Sequence, residues 1–380
     1  MVNRIKSSGR GNGSNMNVLN ILRPDAARDG LGILSGRRLL RAATATVAAL
    51  ALVFLASAHL AAQELDLPLR APAAPAFAEA SSHTEAAEVA TLDFDWFDTA
   101  RQRAVPVRVY LPVHGGHEAP LPLVVFSHGI GGSRLGYSYL GAYWASQGYA
   151  SLHLQHVGSD RSLWTGNIFS LVGRLQEAAH EKEAIARVGD LRFALDQVLA
   201  HPQLGKRIDG ARIAAAGHSY GANTIMLAVG ARVERNGRAM DLADPRLAAA
   251  ILLSAPPFYG ESSDMAEIVA GIRVPTLHIT STEDIIRVPG YYSGAEDRIA
   301  VYEAMSGARK ILAVFEGGSH SMFTDRAGAG GFELNAQVKA ATKDLSVAFF
   351  RSVFGDGDKA LHNWPERHYG IVARFVGSGS

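Results

Sequence analysis

The pentapeptide Gly217-His218-Ser219-Tyr220-Gly221 follows the strand-like run Arg212–Ala216 and opens a segment of helical spacing over Ser219–Val229. A strand that turns directly into a helix, with one serine set between two glycines, leaves few folds open. Neighbours without side chains let the strand and helix pack closely, and the sharp turn holds the serine hydroxyl out at the strand's end. The helix that begins there directs free N–H groups toward the serine's surroundings, where negative charge is stabilised. The bland alternative is an N-cap serine at a tight turn.

Around this turn, short apolar runs alternate with longer amphipathic segments. Thr91–Phe97 and Val105–Leu111 read as an opening pair of strands. Leu121–Ser127, Ala150–Leu154, Ala249–Ser254, Thr276–Thr280 and Ile311–Phe315 read as further strands. Leu121–Ser127 is a continuous apolar run, as a strand buried on both faces requires. Helical patterns fall at Leu140–Gln147 and at 175–200, 263–271, 296–306 and 333–353. In the second of these, Leu191, Ala194, Leu195 and Val198 share one face. The alternation predicts an α/β domain over residues 91–353, a mostly parallel central sheet with helices on both faces. Residues 354–380 are left as a C-terminal tail. In such sheets function sits at the carboxyl ends of strands.

Residues 42–62 form a run of 21 without Lys, Arg, Asp or Glu. A helix of that length spans about 32 Å, close to a bilayer core of about 30 Å. Gly36-Arg37-Arg38-Leu39-Leu40-Arg41 precedes it, and Ala56-Ser57-Ala58 or Ala62 offers small residues for cleavage. The Arg37-Arg38 pair is similar to a twin-arginine signal. The expectation is a basic segment 1–41, a signal peptide or membrane anchor 42–62, and an Ala/Pro-rich linker 63–90. The body is then exported (periplasmic or secreted), or tethered by a single N-terminal transmembrane helix.

The formal net charge of +1 conceals an asymmetry, because residues 1–62 hold eight basic and two acidic residues and the rest hold 29 basic and 34 acidic. A mildly acidic body makes nucleic acid an unexpected partner. The absence of cysteine excludes disulfides, thiolate metal sites and a cysteine nucleophile.

A serine hydroxyl is a poor nucleophile until a base, oriented by a carboxylate, takes its proton. Where a serine sits on such an elbow, the acid and then the histidine follow it in the chain. Of His278, His320, His362 and His368, only His320 lies in a Gly-rich loop after a strand, Glu316-Gly317-Gly318-Ser319-His320. Thr276–Thr280 runs into Ser281-Thr282-Glu283-Asp284, which makes Asp284 the candidate acid and Glu283 its local alternative. An oxyanion hole needs two backbone N–H donors. Tyr220 supplies one. The other is assigned to Ile130 in His128-Gly129-Ile130-Gly131-Gly132, with Gly129 or Gly131 as alternatives. A phosphate-binding reading of that loop lacks the G-x-x-x-x-G-K-[ST] pattern.

With these residues in place, the chain resembles the α/β-hydrolase fold over about residues 100–353. SHGIGGSR, RVGDLRFALD and GHSYGA resemble the platelet-activating-factor acetylhydrolase and dienelactone-hydrolase-like group. PTLHITSTEDIIRVP and EGGSHS resemble bacterial cutinases and polyester hydrolases. The resemblance implies a serine esterase with Ser219 as nucleophile, Asp284 as acid and His320 as base. It implies Ile130 and Tyr220 as oxyanion donors, no cofactor, and a small-molecule, lipid or polyester ester as substrate. Two features depart from these groups. Dienelactone hydrolases use a cysteine, and cutinase-like enzymes often carry a Trp before the nucleophile and a disulfide, whereas here His218 precedes Ser219 and cysteine is absent.

Residues 155–187 exceed a usual βα loop of about 2–6 residues. They are expected to form a small cap insertion whose Trp164, Ile168, Phe169 and Leu171 line an acyl pocket, or else only to cover the sheet edge. Pro257-Phe258-Tyr259 either rims the site or packs. His153, His156 and the pair His114/His117 have no carboxylate cluster beside them, so no metal is expected. Peptidase or acyltransferase chemistry on the same triad is an alternative, although about 290 residues leave little room for a peptidase's substrate-filtering domain. A tethered, non-catalytic binding protein of the same fold is another.

Overall fold

The structure, a computed structural model, describes residues 88–377 apart from 114–118, 236–237, 259–263, 289–290, 327–330 and 356. The expected signal or anchor, the linker up to residue 87, and His114 and His117 lie outside the described residues. Among the described residues no helix is long and apolar enough to cross a membrane.

Strands β1 (Val89–Asp98) and β2 (Arg103–Pro112) pair antiparallel along their whole length. β3 (Leu121–Ser127) leads through α1 (Ser138–Ser146) to β4 (Ala150–Leu154). Helices α2 (Leu171–Ala178) and α3 (Glu181–Ala200) precede β5 (Ile208–His218) and α4 (Tyr220–Ala228). β6 (Leu247–Leu253), α5 (Met265–Val269), β7 (Thr276–Ser281), α6 (Ala295–Ala304), β8 (Lys310–Phe315) and α7 (Phe332–Phe354) follow. The chain continues with α8 (Lys359–His362), α9 (Trp364–Arg367) and β9 (Val372–Val376).

The sheet has nine strands in the order β1-β2-β4-β3-β5-β6-β7-β8-β9. β4, β3, β5, β6, β7 and β8 run parallel, while β2 and β9 run against their neighbours. The period-two geometry of a strand sorts its side chains between two cores. Leu123 and Val125 of β3 face the core that α3, α4, α5 and α6 cover. Val124 and Phe126 face the other, with α1 and α7. Helices therefore cover both faces, as the alternating pattern predicts.

Three elements differ from the sequence expectations. The segment 175–200 is two helices, broken at Ala179–His180, where the His180 ring accepts from the Lys182 N–H and Glu181 and Glu183 fill the first turn of α3. The hairpins Arg232–Arg235/Arg238–Asp241 and Ile286–Val288/Tyr291–Ser293 are too short for a periodicity reading. Residues 357–377 are part of the domain rather than a tail. β9 closes the sheet against β8, and Trp364, fully buried among Phe315 and Phe375, donates its indole N–H to the Ala341 carbonyl at 2.9 Å.

Candidate active site

Four loops converge at the carboxyl ends of β3, β5, β7 and β8. At the end of β5, Ser219 adopts φ 55° and ψ −122°, a strained conformation for a residue with a side chain. The flanking glycines make the turn possible. A Cβ on Gly217 would lie 2.4 Å from the Gly221 carbonyl oxygen, and one on Gly221 would lie 2.0 Å from that of Ser127. The Ser219 N–H donates to the Leu253 carbonyl at 2.9 Å, tying the turn to β6.

The three residues expected to act together meet. His320 Nε2 is 2.8 Å from Ser219 Oγ, and His320 Nδ1 is 2.7 Å from Asp284 Oδ1. Asp284 is fully buried, whereas its neighbour Glu283 is exposed on the turn. Burial alone would raise the Asp284 carboxyl, but the hydrogen bond and charge of His320 and the charge of Arg298 hold it below the usual carboxylate range. Thr280 Oγ1 donates to Asp284 Oδ2 at 2.8 Å, and the buried Arg298 guanidinium is 3.6 Å from Oδ1.

The loop after β3 brings Ile130 beside Ser219 and Tyr220, all three lining one cavity. The Gly131 N–H is taken by the Ser159 carbonyl at 2.8 Å, and the Gly132 N–H by that of Gly129 at 3.0 Å. Among the described residues, the N–H groups of Ile130 and Tyr220 find no internal acceptor. Of the two loop positions, Ile130 thus keeps an uncommitted N–H and Gly131 does not.

The cavity measures ≈ 470 Å³ and is mostly apolar, with Leu175, Leu227, Val233, Met240, Leu242 and Phe258 in its wall. The cap segment contributes Val172, Leu175 and Gln176 from one face of α2 at helical spacing, Ala179 at its C-cap, and Glu181, Ala184 and Ile185 of α3. Trp164 and Phe169 are not part of this wall. Phe169 is 88% exposed, and Trp164 lies over Gly131, donating its indole N–H to the Gly131 carbonyl at 2.9 Å. Leu171 also stays outside the cavity wall, and the Ile168 side chain lies outside the described residues. Pro257 and Phe258 line the cavity; Tyr259 lies outside the described residues.

Sequence reasoning missed the polar groups beneath the site. His218 Nε2–H donates to the His320 carbonyl at 2.9 Å, which leaves Nδ1 to accept from the Tyr137 hydroxyl at 2.8 Å. Burial, helped by the neighbouring His320, pushes His218 down to about 3, so it stays neutral. His156, set aside as a metal ligand, lies buried between Ser127 and Asp190. Among the described residues no group of His, Asp and Glu has a metal-binding arrangement.

Residues 98–186 match the family model described as platelet-activating factor acetylhydrolase, isoform II. Comparison with curated protein sequences finds no match. Among solved structures, a ferulic acid esterase from Streptomyces cinnamoneus is similar with a TM-score of 0.56 and 21% identity, covering 78% of this chain and 98% of that one. The fold is that of the α/β-hydrolases. Beyond the fold, the matched segment and the structural likeness make the chain similar to carboxylic ester hydrolases of this class. Within it, the sequence patterns and the matched segment resemble the platelet-activating-factor acetylhydrolase group.

Proposed function

We propose that this chain cleaves carboxylic esters through an acyl-enzyme formed on Ser219. The observation that carries this is the continuous chain from Ser219 Oγ through His320 to the buried Asp284, at the wall of an apolar cavity. His320 Nε2 takes the Ser219 proton as Oγ attacks the ester carbonyl carbon. Asp284 accepts from Nδ1–H and stabilises the imidazolium. The Ile130 and Tyr220 N–H groups hold the developing oxyanion, where loss of one donor typically costs about 10²–10³ in rate. The intermediate collapses, the alcohol leaves with the proton from His320, and water releases the acid by the same steps in reverse.

The apolar cavity suits the hydrocarbon part of an ester, in the size range of small-molecule pockets. On sequence alone, residues 42–62, behind the basic segment 1–41, act as a signal peptide or a membrane anchor. The test is hydrolysis of p-nitrophenyl esters of increasing acyl length, with a feruloyl ester beside them, by the wild type and Ser219→Ala. Activity in the wild type and its loss in the variant support the reading. Equal rates in the two proteins overturn it.

A further inference from the structure

Arg187 on α3 is fully buried and makes no direct contact with a carboxylate. Its guanidinium spends its donors on neutral oxygens. Nε donates to Thr224 Oγ1 at 2.8 Å, one terminal nitrogen to Ser159 Oγ at 2.8 Å, and the other to Ser127 Oγ at 3.1 Å. That last nitrogen also donates to the main-chain carbonyl of His128. The guanidinium carbon lies 4.5 Å from the centre of the Tyr220 ring.

The charge is answered at one remove. Ser159 Oγ–H passes on to Glu183 Oε1 at 2.8 Å. Ser127 Oγ–H donates to His156 Nε2 at 2.9 Å, and His156 Nδ1–H donates to Asp190 Oδ2 at 3.0 Å. Each hydroxyl accepts from the arginine and donates toward an acid, so both relays are polarised in one direction. Arg103 bonds both Glu183 and Asp190 and fixes the far ends. Ser127, His156 and Asp190 mimic a catalytic triad, but all three are sealed from solvent and act as a mount.

What is mounted is the oxyanion site. His128 immediately precedes Gly129-Ile130, Ser159 accepts from the Gly131 N–H, and Tyr220 carries the second free N–H. We propose that Arg187 is the positioning residue of the oxyanion hole, clamping the β3 loop and Tyr220 so that the Ile130 and Tyr220 N–H groups point at one spot. This rests on the proposed esterase reading. Lysine cannot replace it, because a single ammonium cannot reach four acceptors in a planar fork.

The test compares wild type, Arg187→Lys, Ser159→Ala and Ser219→Ala on a p-nitrophenyl ester, with binding of a trifluoromethyl ketone that forms a hemiketal oxyanion. Misplacing donors acts on the transition state, so kcat of Arg187→Lys should fall by about 10²-fold with KM little changed. The ketone affinity should fall by a similar factor. A folded Arg187→Lys with wild-type kcat and ketone affinity overturns the proposal, and so does a loss confined to thermal stability. If Arg187→Lys does not fold, Ser159→Ala carries the test. It should lose about 10-fold in kcat and in ketone affinity, on the order of a single neutral hydrogen bond, and unchanged values overturn the proposal. Residual activity in Ser219→Ala equal to wild type would instead sink the esterase reading on which the proposal stands.

Discussion

His218 holds His320 by its main chain: the His218 Nε2–H donates to the His320 carbonyl at 2.9 Å, while Tyr137 fixes the other ring nitrogen. The residue before the candidate nucleophile thus steadies the loop that carries the candidate base. His218→Phe keeps a ring in the buried space and removes both hydrogen bonds. Its kcat on a p-nitrophenyl ester should fall by roughly 10- to 10²-fold, the scale of a sub-ångström to 1 Å misplacement. A kcat equal to wild type would show that the loop holds its place without His218.

Stability should decline on the acid side of neutrality. Burial pushes His153, His218 and His278 down to about 3 and His128 and His156 well below their ordinary value. Below about 6.5 the unfolded chain takes up protons at these rings that the folded chain refuses, so each step down in pH favours unfolding. Asp284, whose folded pKa is depressed, adds the same sign below its unfolded value, while Asp190, raised by burial, opposes it. Guanidinium midpoints should be level above pH 7 and fall steadily toward pH 4. Constant midpoints between pH 7 and pH 5 would contradict neutral buried histidines.

Trp364→Ala should cost about 3–5 kcal/mol of unfolding free energy, the usual range for a buried tryptophan. The substitution empties the space between α7, β8 and β9 and strips the Ala341 carbonyl of its indole donor. Denaturant unfolding measures it. A loss below about 1 kcal/mol would mean that residues after 354 contribute little to the fold.

The strands and the serine elbow were legible because each has a local signature: a continuous apolar run, or glycines around one serine. Ser219, Asp284 and His320 were reachable because each follows a strand, and the sheet gathers strand ends. Arg187 carried a subtler signal. Stepping back by four along the stripe Leu191, Ala194, Leu195 leads to Arg187 and Asp190, and another step leads to Glu183, so charge runs onto the buried face of α3. The pocket wall was misplaced because Trp164 and Phe169 drew attention by size, whereas the register of α2 decides which side chains turn inward. The tail hid its role because Val372–Val376 is a short strand whose partner, β8, lies about 60 residues earlier.

The Ser219 N–H bond to Leu253 fastens the elbow to the middle of the sheet rather than to a surface loop. That bond involves no residue of the cap, so local fraying of α2 leaves it in place. Amide exchange at Ser219 then waits for the whole domain to come apart. The geometry of the elbow is lost only with the fold.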